Sequence, residues 1–300
     1  MVQQVTINQA AKLSEEQILQ ASYPDPPQLI VSKIPISRLD TAKGRTYYQR
    51  DIKVDDRVYI YSSTTVLSNT LTKGIGFDMW LGNAVSYKDA MKYANERAFL
   101  GTMTHAMIMY LLWGEEVDTK TGFYNDDTGE IASVPDEVKL RLQGFIDFYK
   151  DMQPEPIASE ISLFCPDLDD DGELLFPWAG TADQILKMPD GKIWLVDIKT
   201  GKDYPKDHEL QLTSYKLLWD HIYGKEHGEI DVLACLYLNS KGKYKLKKYK
   251  FVPYNWYNVY ENFEYMIRDG RGSMPKIKEK EVLPDIYSIK GEEVDADSKT

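Results

Sequence analysis

Apolar positions recur at helical spacing, three and four residues apart, in several parts of the chain. Helices are predicted over residues 87–113, over a segment that contains Val138, Leu142, Phe145, Ile146 and Tyr149, over residues 206–223 and over residues 254–267. Ser133 and Asp136 match a capping box, with Pro135 early in the turn, so we expect the second helix to begin there. The pattern therefore predicts four helices.

Shorter apolar or alternating runs, bounded by turn residues, predict strands between these helices. They cover residues 157–164, 176–186, 193–199 and 230–238. The Pro189-Asp190-Gly191 turn is expected to join the second and third of these strands in a hairpin. The succession of helix, three strands, helix and strand indicates an α/β fold with a mixed central β-sheet flanked by helices.

Composition divides the chain into three regions. Residues 1–60 are expected to form an N-terminal extension that packs on the core or leads into it, since the proline-rich stretch 20–36 favours an extended chain. Residues 61–285 are expected to form one compact domain, and residues 286–300 an acidic tail.

The composition excludes several classes of protein. Hydrophobic residues make up 43% of the 300, enough for a sizeable core, and no apolar run is long enough to cross a membrane. The polar N-terminus lacks a secretory signal, which favours a cytoplasmic location. Two cysteines, Cys165 and Cys235, are too few for a disulfide framework or an iron–sulfur cluster. The net charge of −11 argues against passive adhesion to nucleic acid, but it permits a local basic patch.

The strand over residues 193–199 carries the most informative polar residues. Asp197 and Lys199 are two positions apart, so their side chains point to the same face, while Ile198 points to the other. The predicted hairpin can bring Asp183 beside Asp197, and two converging carboxylates suit a hard divalent cation such as Mg²⁺. Alternatively, Asp197 and Lys199 form a strand-end ion pair without a catalytic role.

Two helices carry further polar candidates. His208, Gln211 and Tyr215 share one face of the third predicted helix, where they can hydrogen-bond a phosphate or the lysine. His105 lies on an apolar helix and is a candidate metal ligand. The alternatives are an ordinary amphipathic helix for the first set and a satisfied core histidine for the second.

Taken together, these motifs resemble those of the PD-(D/E)xK nuclease superfamily, and most closely its RecB-type and phage exonuclease branch. The similarity extends over about residues 60–238. It rests on Gly101…His105, Glu160, Gly180-Thr181-Ala182-Asp183, Asp197-Ile198-Lys199, Gln211-x-x-x-Tyr215 and the Ser/Thr-rich segment Tyr61–Leu67. The resemblance implies a restriction-endonuclease-like core. Ala182 stands where the name of the family has proline, so the first motif is not literal.

The resemblance also implies a role for each matching residue. Metal ligation, by one or two Mg²⁺ or Mn²⁺ ions, is implied for His105, Glu160, Asp183, Asp197 and the carbonyl of Ile198. Lys199 is implied to position and activate the attacking water, and Gln211 and Tyr215 to hold the lysine or the scissile phosphate. The implied reaction is metal-dependent hydrolysis of DNA that leaves 5′-phosphates.

Lysines at alternate positions 241, 243, 245 and 247 are expected to lie along one face of a strand. Lys243, Lys245 and Lys247, together with His208, are candidate contacts for a DNA backbone. The lysines equally suit an edge strand that they protect from aggregation. The acidic stretch Asp167–Gly172 matches half of a calcium-binding loop and is interpreted as a solvated hairpin loop.

The expected activity is that of an exonuclease acting on DNA ends in recombination, repair or phage replication. No nucleotide-binding G-x-x-x-x-G-K-[ST] motif is present, so a separate single-strand annealing or recombination protein is a candidate partner. A viral origin would place the protein in the host cytoplasm. A structure-specific endonuclease and a non-catalytic nucleic-acid-binding scaffold remain alternatives, and the sequence leaves the oligomeric state open.

Overall fold

The computed structural model describes residues 29–41, 44–72, 75–125, 129–201 and 205–268. Its helices are α1 (Ser63–Thr70), α2 (Ile75–Gly82), α3 (Tyr87–Leu112), α4 (Asp136–Met152), α5 (Pro205–Ile222), α6 (Gly224–His227) and α7 (Pro253–Arg268), with a 3₁₀ turn at Val54–Asp56. The predicted acidic tail lies outside the described residues.

Within the described residues, ten strands accompany the helices: β1 (Ile36–Thr41), β2 (Gly44–Gln49), β3 (Ile60–Ser62), β4 (Phe123–Asn125), β5 (Glu130–Ala132), β6 (Glu155–Leu163), β7 (Trp178–Lys187), β8 (Ile193–Lys199), β9 (Val232–Leu238) and β10 (Tyr244–Tyr249). Eight of them form one sheet in the order β1-β2-β3-β7-β8-β9-β10, with β6 also paired to β7. The β3–β7 and β8–β9 pairs are parallel and the others antiparallel. The predicted α/β fold with a mixed, helix-flanked sheet is confirmed.

The sheet separates two apolar layers because successive side chains of its strands point to opposite faces. On one face, Leu195 packs with residues of α5 and α7, including the fully buried Trp219 and Trp256. On the other face, Val196 and Ile198 pack against α3 and α4. Each fully buried aliphatic side chain contributes about 1.5–3 kcal/mol to the free energy of folding. The strand β8 is therefore held from both sides, which fixes the polar residues at its end.

The four predicted helices and the β7–β8 hairpin are confirmed. In the hairpin turn, the Met188 amide donates to the Lys192 carbonyl, and Gly191 adopts a positive φ of 83°, which a glycine tolerates. The predicted capping box is wrong. Pro135 occupies the N-cap position of α4, and no side chain caps this helix terminus. Its first turn instead carries Asp136 and Glu137, which the helix dipole favours.

The region before residue 60 contributes strands to the sheet. β1 and β2 form an antiparallel hairpin, and β2 continues the sheet through β3 to β7. Gly44, with a φ of 121°, begins β2 where an added Cβ would lie 2.3 Å from the Thr65 side chain. The expected extension thus packs on the core as part of its sheet, whereas residues 1–28 lie outside the described residues.

The stretch Asp167–Gly172 lies in a hairpin loop, as expected. Leu168 and Leu174 form an antiparallel bridge, and Asp169 Oδ1 accepts hydrogen bonds from the amides of Asp171 and Glu173. Among the described residues, no helix combines the length and the apolar character that crossing a membrane requires.

Candidate metal centre

The β7–β8 hairpin brings Asp183 and Asp197 together. Gln184 pairs with Val196, so the next position along each strand places the two aspartates opposite each other. The Ile198 amide donates to Asp183 Oδ2 at 2.7 Å, which fixes this carboxylate. Both aspartates are buried, with 8% of Asp183 and 2% of Asp197 exposed. A buried pair of carboxylates is costly unless cations or donors compensate it.

Lys199 compensates part of this charge. Its Nζ lies 2.5 Å from Asp197 Oδ2 and donates to Gln211 Oε1 at 3.1 Å. Burial lowers the pKa of Lys199, but the attraction of Asp197 and Asp183 outweighs burial and raises it above the usual value. The side chain is therefore an ammonium at neutral pH, and the predicted orientation of Asp197 and Lys199 on one face of β8 is confirmed.

Gln211 connects the strand to helix α5. Its Nε2 donates to Asp197 Oδ1 at 3.3 Å and to the Tyr215 hydroxyl at 3.1 Å. Because Gln211 and Tyr215 are four residues apart on α5, they present one helix face to the end of β8. Burial raises the pKa of Tyr215 well above its usual value, so this hydroxyl is neutral.

Gly180 makes room for the Tyr215 ring. A Cβ at this position would lie 2.3 Å from Tyr215 Cε1. The glycine in the Gly180-Thr181-Ala182-Asp183 motif thus has a packing reason, which spacing along the sequence does not reveal. Thr181 in the same motif shares a hydrogen bond of 2.9 Å with the Tyr47 hydroxyl of β2.

His105 approaches Asp183 from helix α3. Its Nδ1 lies 3.4 Å from Glu160 Oε1 and 3.6 Å from Asp183 Oδ2. One turn earlier, Gly101 passes close to Thr200, where an added Cβ would lie 3.3 Å from the Thr200 hydroxyl. The lone histidine of this helix therefore faces the carboxylates and is only partly buried in the apolar core.

Glu160 adopts a left-handed backbone conformation in the middle of β6, with a φ of 49°. Ser159 pairs with Gln184 and Ile161 pairs with Ala182, so Glu160 stands opposite Asp183 with the ladder interrupted there. Such a conformation costs a non-glycine residue about 1–3 kcal/mol and is found disproportionately at functional sites. The bend aims Glu160 at His105, which a regular strand pairing would not predict.

His105, Glu160, Asp183, Asp197 and Lys199 together are termed the candidate metal centre. Burial and the neighbouring Asp197 raise the pKa of Asp183 to about 8. Burial lowers the pKa of His105, but Asp183 and Glu160 more than offset this effect and raise it to about 9. Ligand atoms of His105, Glu160 and Asp183 all lie within 4.8 Å of one another. The oxygen and imidazole donors of these three residues suit a divalent cation, whereas the oxygens of Asp197 lie outside this group and contact Lys199 and Gln211.

Ile198, the remaining predicted ligand, belongs to the site through its backbone. Its amide hydrogen-bonds Asp183, while its side chain packs in the layer against α3 and α4. Ligation of a metal by the Ile198 carbonyl stays a prediction.

The lysine run lies partly on β10, the edge strand next to β9. The prediction that four lysines share a strand face is wrong for Lys241 and Lys243. These two flank the β9–β10 turn, where both amides donate to Asn239 Oδ1. Lys245 and Lys247 are in this edge strand, and their role in protecting it from aggregation stays a prediction.

Strand register places these two lysines on the same face as the candidate metal centre. Lys247 and Asp197 both pair with Cys235, and Lys245 and Lys199 both pair with Tyr237. Because neighbouring strands of a sheet are separated by about 4.8 Å, the backbone of Lys247 on β10 lies about 10 Å from the backbone of Asp197 on β8. Contact of Lys243, Lys245 and Lys247 with DNA stays a prediction.

His208 lies on α5, three residues before Gln211. It is buried, and its Nδ1 lies 2.8 Å from the Tyr237 hydroxyl, which in turn lies 2.6 Å from the Tyr249 hydroxyl. His208 thus joins α5 to β9 and β10, and its contact with substrate stays a prediction.

Sequence reasoning missed two contributors to the site. Cys235 on β9 places its sulfur 3.9 Å from Asp197 Oδ2, a contact set by the parallel β8–β9 register. In the Ser/Thr-rich segment, Ser62 caps α1 by accepting from the Thr65 amide, and Ser63 donates to the Ala179 carbonyl on β7. The run of small hydroxyl residues before Val66 and Leu67 was the available signal for this cap.

No family model and no curated protein matches this chain. Among solved structures, the chain is similar to one titled "Crystal structure of SSO0001", with 15% identity and a TM-score of 0.29 over 43% of this chain. The match spans 58% of that chain. The likeness is too low to support an argument about fold or function.

Proposed function

We propose that this protein is a metal-dependent deoxyribonuclease that hydrolyses phosphodiester bonds and leaves 5′-phosphates. The observation that carries the proposal is the convergence of Asp183, Asp197 and Lys199 at the end of one hairpin, with His105 and Glu160 beside Asp183. Phosphodiester hydrolysis needs an activated water and compensation of the charge that grows on the phosphate oxygens. Carboxylates that hold a cation, together with an ammonium, are suited to both tasks.

The residues that would hold the cation are His105, Glu160, Asp183 and Asp197, with the Ile198 carbonyl. Oxygen ligands predominate, which favours one or two Mg²⁺ or Mn²⁺ ions. The raised pKa of Asp183 supports this assignment, because it comes first from burial and then from the nearby charge of Asp197, and a bound cation would offset both effects. When bound, such an ion lowers the pKa of a water ligand and stabilises charge on the phosphate.

Lys199 acts as a hydrogen-bond donor. Its raised pKa keeps it positively charged, so it orients the attacking water or a phosphate oxygen through its N–H groups. Gln211 holds Lys199 and Asp197 at fixed positions, and Tyr215 holds Gln211 in turn. Both α5 residues are positioning residues in this proposal.

The substrate class is DNA, and the preferred substrate is a DNA end. Lys245 and Lys247, in register with Lys199 and Asp197, offer a local positive surface on an acidic protein. The PD-(D/E)xK resemblance favours an exonuclease that works in the cytoplasm, or in the host cytoplasm for a phage protein, during recombination, repair or replication. A separate annealing or recombination protein is the expected partner.

The test is a cleavage assay on linear duplex, closed circular duplex and single-stranded DNA with Mg²⁺ or Mn²⁺. We expect metal-dependent loss of linear DNA with circles spared. Lys199→Ala and Asp197→Ala should each lower the rate, by about 10²–10⁴-fold for the lysine.

Lys139→Ala and Asp136→Ala are matched controls, because these residues form an exposed lysine–aspartate pair on α4 with Nζ and Oδ1 2.9 Å apart. Both controls should cleave at the wild-type rate. Cleavage of circles would instead indicate an endonuclease. An inert wild-type protein with either metal would contradict the proposal and leave a nucleic-acid-binding scaffold.

A further inference from the structure

A second group of metal-ligating side chains lies at the far end of α5, outside the candidate metal centre. Cys165 and Asp167 follow β6, and His221 is in the last turn of α5. One ligand atom from each lies within 4.8 Å of the other two. His221 Nε2 and Asp167 Oδ2 are 3.3 Å apart.

The distance between His221 Nε2 and Asp167 Oδ2 matches the distance between two ligand atoms of a tetrahedral zinc site. Zinc binds histidine nitrogen at about 2.0–2.1 Å and carboxylate oxygen at about 2.0–2.2 Å, so a tetrahedral angle separates the two ligands by about 3.4 Å. The observed 3.3 Å between the His221 and Asp167 atoms needs almost no adjustment.

The chemistry of the donors selects a different metal from that of the candidate metal centre. A thiolate and an imidazole favour Zn²⁺ over Mg²⁺, which prefers oxygen ligands. Cys165 is buried with 2% exposed, whereas the side chains of Asp167 and His221 are open to solvent, so an ion can reach the group from outside. The Phe176 ring packs on the His221 ring with centroids 4.9 Å apart, which restricts the imidazole.

We propose that Cys165, Asp167 and His221 bind Zn²⁺, with a fourth position open to water. Binding transfers the thiol proton of Cys165 to solvent and forms the sulfur–zinc bond, with no change of oxidation state. The ion would tie the loop after β6 to the end of α5. This proposal goes beyond the proposed nuclease function and does not depend on it.

The experiment titrates the metal-free protein with Co²⁺, which stands in for Zn²⁺ and gives a thiolate-to-metal charge-transfer band in the near ultraviolet. We expect the band to saturate at one equivalent, to disappear on addition of Zn²⁺ and to persist with Mg²⁺. Cys165→Ser should remove it. Cys235→Ser is the matched control, because Cys235 lies beside Asp197, and this variant should retain the band.

Two further variants keep the test decisive if Cys165→Ser fails to fold. Asp167→Asn and His221→Gln change side chains on the surface, and each should require more Co²⁺ for half-saturation than the wild type. The proposal is overturned by the absence of the band in the wild type, by its survival in Cys165→Ser, or by unchanged titration of both surface variants. If Cys235→Ser lost the band while Cys165→Ser kept it, the band would belong to the candidate metal centre, and this result would likewise overturn the proposal.

Discussion

Two charged clusters lie near the end of β8. The candidate metal centre has three carboxylates against Lys199 and His105. The guanidinium cluster, formed by Arg97, Glu137 and Arg141, has two cations against one carboxylate. Arg141 Nη2 also contacts the Thr200 carbonyl at 3.4 Å, so this cluster ties α3 and α4 to the residue after Lys199.

The two clusters differ in how their buried groups are satisfied. Asp183, Asp197, Lys199 and Gln211 all make hydrogen bonds, yet burial and the nearby charge of Asp197 raise the pKa of Asp183. Within the described chain, Arg141 is 1% exposed and its Nε and Nη1 have no partner. The comparison teaches that burial of charge alone does not mark a site. Convergence of carboxylates, together with the left-handed Glu160 backbone, distinguishes the candidate metal centre.

The largest expected effect is a difference in the free energy of unfolding between a variant of Glu137 and a variant of Arg141. Glu137→Gln should lower the free energy of unfolding by about 3 kcal/mol, because it leaves two guanidinium groups without a countercharge. Arg141→Met should change it by less than about 1 kcal/mol, since Glu137 keeps its paired hydrogen bonds with Arg97 and two unpartnered nitrogens are removed.

Urea unfolding measures both effects. An equal cost for the two variants would show that Arg141 is needed as a charge, and the contrast between the clusters would fail. Neither variant should alter the affinity for Mg²⁺.

An intermediate effect concerns the packing beneath the candidate metal centre. Gly180→Ala should lower the free energy of unfolding by about 2 kcal/mol and reduce cleavage, because the new methyl group displaces the buried Tyr215 ring and with it Gln211. Gly82→Ala is the control, since an added Cβ at Gly82 meets no atom within 4 Å. Full stability and activity in Gly180→Ala would contradict the positioning role of Tyr215.

The last prediction is a dependence of Mg²⁺ affinity on pH. Because the pKa of Asp183 is raised to about 8 in the protein alone, a proton must leave before the carboxylate binds a cation. His105, whose pKa is raised to about 9, must lose its proton as well before it binds. Affinity should therefore rise by up to a hundredfold, or about 2.7 kcal/mol, for each pH unit between pH 6 and pH 8.

The raised pKa of Asp183 also affects the stability of the folded protein. A carboxyl whose pKa is raised on folding stabilises the protein at low pH, and that contribution is lost as the pH rises towards 8. The increase in melting temperature caused by Mg²⁺ should accordingly be larger at pH 8 than at pH 6. Asp136→Asn should keep this trend, whereas Asp183→Asn should lose it, and a pH-independent affinity would argue against Asp183 as a ligand.

Local patterns made much of this arrangement predictable. A short turn with Pro189 and Gly191 allows only an antiparallel return, so Asp183 and Asp197 had to meet. Helical periodicity placed Gln211 and Tyr215 on one face. These features depend on residues close together in the chain, where spacing determines geometry.

Features that depend on contacts between residues far apart in the chain could not be predicted from the sequence in this way. The Cys235–Asp197 contact depends on the register of two parallel strands joined through α5. The left-handed conformation of Glu160 depends on what faces it across β6 and β7. The β1–β2 hairpin was missed because its short strands carry few apolar residues. The Arg97–Glu137 pair joins two helices through residues that are 40 positions apart in the chain.

The position of His105 has a consequence for the order in which the protein assembles. The two aspartates are brought together by a hairpin, which can close within microseconds. His105 reaches Glu160, 55 residues away in the chain, only after α3 has docked against the sheet. A complete ligand set is therefore a late product of folding, and cation binding during refolding would report the docking of α3.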